Sequence, residues 1–201
     1  MNTNNAISDQ TDDPILFKSL TQKPTIAWPT ILLLVAAFTL FGLSTFAYLT
    51  DTLSLFGAIA LNSIAAYLSF TPLHDASHNS VSTHRQLNEW VGRISSILLS
   101  ATPFFRTFRY MHMQHHRFTN DETKDPDIYA GTGPVWLLPF KWATLEVSYF
   151  TLYLKPKVFV KRPKSEREEL YLGVLFGVAV ITVAILAGWL EYYLLLFFIP
   201  S

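Results

Sequence analysis

The chain has 201 residues, no cysteine and a formal net charge of zero. Half of its residues are hydrophobic and only 15% are charged, whereas about a quarter are charged in a typical soluble domain. The balanced charge gives no support for a nucleic-acid partner. The lack of cysteine excludes disulfides, thiolate metal sites and cysteine nucleophiles. This composition favours a membrane protein whose metal-binding capacity rests on His, Asp, Glu, Asn and Gln.

The first 25 residues are polar and lack the apolar core of a signal peptide. We predict a cytosolic N-terminal tail over residues 1–25, disordered in its first dozen residues. The runs 26–49 and 52–73 that follow contain no charged residue, and each is long enough to span a bilayer. Because only a short interruption at Asp51 separates them, they predict an antiparallel helical hairpin.

The middle region, residues 74–169, holds most of the 15 Lys and Arg residues and all six His. Within it, residues 91–105 and 133–154 are apolar but interrupted by charged residues and prolines. Such segments fit helices that lie at the membrane surface or pack against protein better than they fit spans. Residues 155–169 are predicted to form a charged surface stretch.

The end of the chain is apolar again. Residues 170–187 predict a third span, Gly188–Glu191 a tight turn, and residues 193–201 the start of a fourth span. Basic residues occur in the tail and the middle region but in neither turn, so the positive-inside rule places the tail and the middle region in the cytosol. We therefore predict an all-α integral membrane protein: two transmembrane helical hairpins with a cytosolic histidine-rich helical region between them.

The histidines form two groups with helical spacing. His74 and His78 lie in the motif HDASH, and His112, His115 and His116 lie in the motif HMQHH. Residues at i and i+4, or at i, i+3 and i+4, share one face of an α-helix. Five imidazoles without a thiolate exceed the needs of one tetrahedral zinc, and imidazole suits iron. The pattern predicts two metal ions held between helices.

The second motif ends the run FFRTFRYMHMQHHRF, which predicts a helix with Phe105, Phe108 and His112 on one face. The arginines of this run admit two interpretations. Arg106, Arg109 and Arg117 either meet lipid phosphate or an acidic carrier, or they are ordinary positive-inside residues. We favour the positive-inside interpretation.

The two motifs, in this order and on the predicted cytosolic side of a four-span topology, resemble the histidine-box di-iron superfamily of membrane fatty acid desaturases and hydroxylases. That superfamily carries an HxxxH box, an HxxHH box and a third histidine box after the fourth span. The segments TPLHDASHNS and FRYMHMQHHRFTNDETKDPD also resemble the sequences of one subgroup, which includes bacterial acyl desaturases and carotenoid hydroxylases. The resemblance implies a desaturase-like membrane domain over residues 26–201, incomplete at its C-terminus because no His follows His116. We expect little or no activity from these 201 residues alone.

The resemblance implies that five histidines bind two iron ions: His74, His78, His112, His115 and His116. Asp75 is interpreted as a hydrogen-bond acceptor that orients a ligating imidazole. Asn120, Asp125 and Asp127 follow the second box and either brace it or form an ordinary polar turn. His84 belongs to neither box, and the sequence leaves open an additional ligand, a supporting role or none.

The implied reaction is O2-dependent desaturation of a fatty acyl chain in lipid metabolism. Acid–base groups cannot attack an unactivated C–H bond, so a metal oxidant is required. The chain has no GxGxxG fingerprint, so electrons are expected from an external ferredoxin-, rubredoxin- or cytochrome b5-like donor. The lack of a targeting segment favours a bacterial inner membrane.

Other functions stay open at this point. Within the superfamily, the alternative is a carotenoid or other lipid hydroxylase or ketolase. A membrane zinc peptidase fits less well, because HDASH is not HExxH. From a different class, a non-catalytic metal- or haem-binding membrane protein would also carry clustered histidines.

Overall fold

The computed structural model describes residues 21–100 and 103–201, together with Ile15, Phe17 and Lys18. Across these residues the architecture is helical, with no β-strand beyond one isolated bridge. Three of the helices are long and apolar enough to cross a membrane. This confirms the predicted all-α membrane fold, while the predicted disorder at the start of the tail lies outside the described residues.

The first hairpin consists of α1 (Trp28–Leu49) and α2 (Leu55–Ser77). Asp51 has a φ of 57° in the turn between them, as expected from a short polar residue that tolerates the left-handed region. The hydroxyl of Ser54 accepts a hydrogen bond from the N–H of Gly57 and caps α2. Because α2 continues past the predicted limit of residue 73, the first histidine box lies on the same helix as the second span.

The middle region contains two amphipathic helices, α3 (Arg85–Ile97) and α4 (Phe105–Phe118). The segment 91–105, predicted as one apolar unit, is divided, because α3 ends at Ile97 and α4 begins at Phe105. Short elements follow: α5 (Ile128–Gly131), a 3-10 turn (Val135–Leu137), α6 (Leu138–Ala143), α7 (Leu145–Tyr153) and α8 (Pro156–Phe159).

Large apolar side chains of these short helices face outwards, including Val135 at 80% and Trp136 at 76% exposure. Exposed tryptophan and aliphatic side chains are typical of segments that lie in a membrane interface, whereas Tyr149 and Tyr153 of α7 are buried against protein. Both predicted placements, at the membrane surface or against protein, therefore stay open for this segment.

The second hairpin begins with α9 (Lys164–Leu186), turns at Gly188 with a φ of 71°, and continues through α10 (Leu190–Tyr193) into a π-helical turn (Leu194–Phe198). Most of residues 155–169 are exposed and none is fully buried, as expected of the predicted charged surface stretch. Residues from Lys164 onwards belong to α9, and the side chain of Glu169 is only 14% exposed because it pairs with arginines of α3 and α4.

The two hairpins are joined by the buried side chain of Asn62. Its amide N–H groups donate to the hydroxyl of Thr45 over 3.1 Å and to the carbonyl of Leu196 over 2.7 Å. Its oxygen accepts a hydrogen bond from Ser44. An unpaired amide would be costly among apolar helices, so these bonds fix how the end of the chain lies against α1 and α2.

The apolar core lies beside the histidine-bearing helices and includes Leu73, Phe105, Phe108, Tyr149 and Leu170. The last residues of the predicted tail also reach this region. The carbonyl of Pro24 accepts the N–H of Thr83, and the N–H of Ala27 donates to the carbonyl of Val81. These bonds hold the loop that follows the first histidine box.

Candidate metal centre

Four of the five predicted ligands converge between α2 and α4. His74 lies in the last turn of α2 and His78 caps its C-terminus, whereas His112 and His116 lie one turn apart on α4. One ring nitrogen of each lies within 4.8 Å of the others. The helical spacing of both motifs therefore produces the shared face that the sequence predicts, and the fold turns the two faces towards each other.

The donor set fits a metal ion. The Nε2 atom of His112 lies 3.0 Å from that of His78 and 3.1 Å from that of His116. Adjacent ligands are separated by about 3 Å when each lies about 2.1 Å from a metal. With a single proton, Nε2 of His112 can form a hydrogen bond with only one of these two neighbours. A cation between the rings would instead accept the lone pairs of all three nitrogens.

The electrostatics favour neutral imidazoles. Burial, reinforced by the neighbouring imidazoles of His74 and His116, lowers the pKa of His112 to about 3. Burial and the same two neighbours also lower the pKa of His78. Neutral imidazole is the form that binds a metal, so these rings are ready as ligands at neutral pH.

Aromatic packing fixes the central ring. Phe108, one turn before His112, stacks on its imidazole with centroids 5.4 Å apart and an angle of 8°. Phe70 of α2 meets Phe108 edge-on at 6.0 Å. Phe105, Phe108 and His112 are all buried, which confirms the predicted face of α4.

His115 faces a separate group. Its Nδ1 lies 2.8 Å from Oδ1 of Asp125 and 3.4 Å from Oδ2 of Asp127. Asp125 is buried and also accepts the backbone N–H groups of Asn120 (2.8 Å) and Asp127 (2.9 Å). Asn120 adopts a φ of 64° to direct its N–H there. Although burial opposes ionisation of Asp125, these hydrogen bonds lower its pKa.

His115, Asp125 and Asp127 are close enough to bind a cation themselves, but their oxygens are largely engaged. Three N–H groups occupy Asp125, and the hydroxyl of Tyr149 donates to Oδ1 of Asp127. A metal-bound histidine commonly donates its other ring N–H to a carboxylate. The arrangement therefore suits orientation of His115 through Nδ1, with Nε2 as its ligating atom.

Asp75 and His84 are the remaining sequence candidates near the first box. Oδ2 of Asp75 accepts the hydroxyl of Thr30 over 2.7 Å, whereas Oδ1 is 3.9 Å from Nδ1 of His74, beyond hydrogen-bond range. Asp75 thus ties α2 to α1 rather than orienting His74. His84 is exposed at the residue before α3 and lies outside both ligand groups.

A charge cluster behind the second box was missed by the sequence analysis. It comprises Glu89 and Arg93 of α3, Arg106 and Arg109 of α4, and Glu169 of α9. The i,i+4 spacing of Glu89 and Arg93 is the only signal in the sequence for any of these pairs. Burial opposes ionisation of Glu89, but hydrogen bonds from Arg109 and Arg106 lower its pKa overall.

This cluster bears on the interpretation of the α4 arginines. Arg106 and Arg109 turn inwards to carboxylates, which gives no support for contacts with lipid phosphate or an acidic carrier. The favoured positive-inside interpretation concerns the side of the membrane and stays a prediction. Arg117 is exposed, and its guanidinium lies 5.1 Å from the ring centroid of Phe118.

Comparison with known proteins gives a family and several relatives. The family model for fatty acid desaturases matches residues 50–201. A beta-carotene ketolase of Haematococcus lacustris is 35% identical over 85 residues, covering 42% of this chain and 25% of the relative. A sphingolipid delta(4)-desaturase DES1-like protein of Oryza sativa subsp. japonica is 30% identical over 95 residues, with coverages of 44% and 29%.

The human sphingolipid delta(4)-desaturase DES1 is 26% identical over 136 residues, covering 66% of this chain and 40% of the relative. The chain thus spans less than half the length of these curated relatives. No solved structure matches it.

Proposed function

Because the chain belongs to the fatty acid desaturase family, we propose that it is a lipid oxidoreductase that binds two iron ions at its histidine cluster and uses O2 to desaturate an acyl chain. The observation that carries the proposal is the convergence of four imidazoles from two helices within 4.8 Å. The family match concerns the same region, since residues 50–201 include both histidine boxes.

In this proposal His74, His78, His112 and His116 are ligands, and His115 joins them through Nε2. Bound iron would activate the O2 that oxidises an unactivated C–H bond. The residues of the chain prepare that site. Phe108 covers one face of the buried His112 ring. The carboxylate of Asp125 keeps the proton of His115 at Nδ1.

The proposed substrate is a long apolar lipid chain, because the relatives act on sphingolipids or carotene by name. An apolar cavity of ≈ 810 Å³ lies between α1, α9 and the end of the chain, with Phe41 and Trp189 among its lining residues. Phe41 is about 16 Å along α1 from Thr30 at a rise of about 1.5 Å per residue. The cavity therefore does not adjoin the imidazoles, and we propose that it holds the distal part of the chain.

The remaining parts of the proposal concern partners and location. Electrons come from an external ferredoxin-, rubredoxin- or cytochrome b5-like donor. The protein is a multi-pass protein of a bacterial inner membrane, with its histidine boxes in the cytosol. The three apolar helices and the distribution of basic residues support this placement.

A carotenoid ketolase is the second candidate, favoured by the 35% identity to the algal beta-carotene ketolase. The two reactions differ in their products. Analysis of lipids and pigments from cells that express the gene encoding this chain, with any continuation of its reading frame, and a suitable electron donor separates them. An acyl chain that has lost two hydrogens supports the desaturase, and a carotenoid ring that has gained a carbonyl supports the ketolase.

Metal analysis tests the ligand set without requiring activity. We expect the purified chain to retain iron and His112→Ala to lose it, because His112 lies between two other ligating nitrogens. His84→Ala is the matched control, since this exposed histidine lies outside both groups. Iron retained by His112→Ala at the wild-type ratio would contradict the ligand assignment, and a Soret band in the purified chain would indicate haem instead.

A further inference from the structure

We propose that Glu89 is a positioning residue of the metal centre: by binding three arginines, it sets the position of α4, and with it His112 and His116, against the histidines of α2. The inference rests on the proposed function only in taking the imidazoles as ligands. The geometry that Glu89 controls can be measured without any metal.

The three arginines meet both oxygens of one buried carboxylate. Oε2 of Glu89 accepts from Arg93 over 2.8 Å and from Arg106 over 2.9 Å, and Oε1 accepts from Arg109 over 2.7 Å. The side chain of Glu89 is only 4% exposed, so water replaces little of this bonding. Charge-assisted hydrogen bonds of this kind are both strong and directional.

The bonds act on the helix that carries the second box. Arg109 lies one turn before His112, and Arg106 lies one turn further back. The ring of Phe105, which packs against α3, lies under the guanidinium of Arg109 at 5.0 Å. Apolar packing alone leaves a helix free to make small rotations about its axis, whereas bonds to Glu89 from two successive turns restrain that rotation.

Glu169 completes the restraint from α9. Its Oε1 accepts the backbone N–H of Arg106 over 3.0 Å. This bond satisfies an N–H group in the first turn of α4, because the N-cap residue Phe104 provides no side-chain cap. Its Oε2 binds Arg93 over 2.7 Å. Without Glu89, the carboxylate of Glu169 would remain the partner of Arg93 and Arg106 only. Arg109 would lose its carboxylate partner, and the cluster would lose one of its two negative charges.

The imidazoles cannot hold all of this geometry by themselves. Nε2 of His112 carries either one proton or one lone pair, so in the metal-free protein it can form a hydrogen bond with only one of its two neighbours, His78 or His116. A site arranged before binding loses less affinity to ordering than one that must assemble. The restraint must come from outside the imidazoles, and Glu89 lies next to the α4 turns that precede them.

The absence of cysteine from the chain allows a direct test. Spin labels at Thr71→Cys on α2 and Arg117→Cys on α4, both exposed positions, report the separation of the two helices by pulsed EPR in metal-free nanodiscs. We expect Glu89→Gln to broaden the distance distribution. The control Glu168→Gln removes a carboxylate of α9 whose exposed pair with Lys164 lies outside the cluster, and we expect it to leave the distribution unchanged.

A wild-type distribution in Glu89→Gln would overturn the proposal. Gel filtration and circular dichroism establish that each variant is folded. If Glu89→Gln does not fold, Arg109→Met decides in its place, because it removes one bond to Glu89 and leaves the other two. Broadening in that variant supports the proposal, and a wild-type distribution refutes it.

Cobalt binding provides the second readout. We expect Glu89→Gln to bind Co²⁺ at least tenfold more weakly with an altered visible spectrum, and Glu89→Asp to recover part of the loss. An unchanged affinity and spectrum in Glu89→Gln would contradict the positioning role. Failure of the wild type to bind Co²⁺ would instead count against the proposed metal site, and the distance measurement would still decide the role of Glu89.

Discussion

At the residue scale, the five box histidines do not have equivalent surroundings. His112 is buried under Phe108 and faces other imidazoles. His115 is bound through Nδ1 to a buried carboxylate instead. A carboxylate behind an imidazole fixes its tautomer and makes its other nitrogen a better donor. Asp125 should therefore affect metal binding although it does not face the four converging rings.

We expect Asp125→Asn to weaken metal binding by about 10–100-fold, the usual effect of losing a carboxylate behind a ligand. An asparagine oxygen can still accept a hydrogen bond, but it lacks the charge that favours the Nδ1–H tautomer of His115. Titration with Co²⁺ measures the change. Asp121→Asn is the control, because Asp121 lies in the same turn but its side chain bonds Thr123 and Lys124 rather than His115.

His115→Ala should remove the contribution of His115 to metal binding altogether while leaving membrane insertion intact. Equal metal affinity in Asp125→Asn and the wild type would show that His115 is not a ligand oriented by this carboxylate.

Local periodicity explains which residue predictions succeeded. The spacing of the boxes is a property of the helix alone, so it predicted the shared faces of α2 and α4. Partners that lie far away along the chain leave no such signal. Asp75 binds Thr30, 45 residues away, and Arg93 binds Glu169, 76 residues away. Both depend on how the helices pack, which spacing does not encode.

At the scale of elements, the approach of α3 to α4 depends on a glycine. An added Cβ at Gly92 would lie 2.2 Å from the ring of Phe105, which is fully buried. The charge cluster spans the same pair of helices. The close apolar contact therefore sets the distance between α3 and α4, and the bonds of Glu89 restrain the rotation of α4 about its axis.

Gly92→Ala should force this contact apart. Overpacking of a filled core costs about 1–3 kcal/mol, so we expect a lower thermal midpoint in detergent and weaker metal binding. Gly42→Ala is the matched control, since its Cβ would meet no heavy atom within 4 Å, and alanine favours a helix more than glycine. A thermal midpoint for Gly92→Ala equal to that of Gly42→Ala would contradict the close approach.

Composition predicted the spans but not all of their ends. A helix continues as long as its backbone bonds are satisfied, whatever the polarity of its side chains. Thus α9 starts at Lys164, before the apolar run at Leu170, and its charged first turns pair with α3, with α4 and with one another. There was likewise no signal in the sequence for the partners of polar residues inside the spans. Asn62 joins the two hairpins through its bond to Leu196, which is 134 residues away.

At the scale of the whole molecule, the proposed reaction requires a particular orientation in the membrane. The histidine cluster lies where α2 ends and α4 packs on it, on the opposite side of the spans from the turns near Asp51 and Gly188. Basic residues lie on the side of the histidine cluster. From the positive-inside rule we expect that side to face the cytosol, where soluble electron donors are found.

Single cysteines test this orientation in a chain that has none of its own. Thr52→Cys and Glu191→Cys report the two turns, and Lys157→Cys reports the middle region; all three positions are exposed. In intact cells we expect a membrane-impermeant maleimide to label the first two variants and to label Lys157→Cys only after permeabilisation. Labelling of Lys157→Cys alone in intact cells would invert the topology and place the metal centre away from cytosolic electron donors. Labelling of only one of the two turns would show that the hairpins do not share an orientation, because a pair of hairpins that both cross the membrane must expose both turns on the same side.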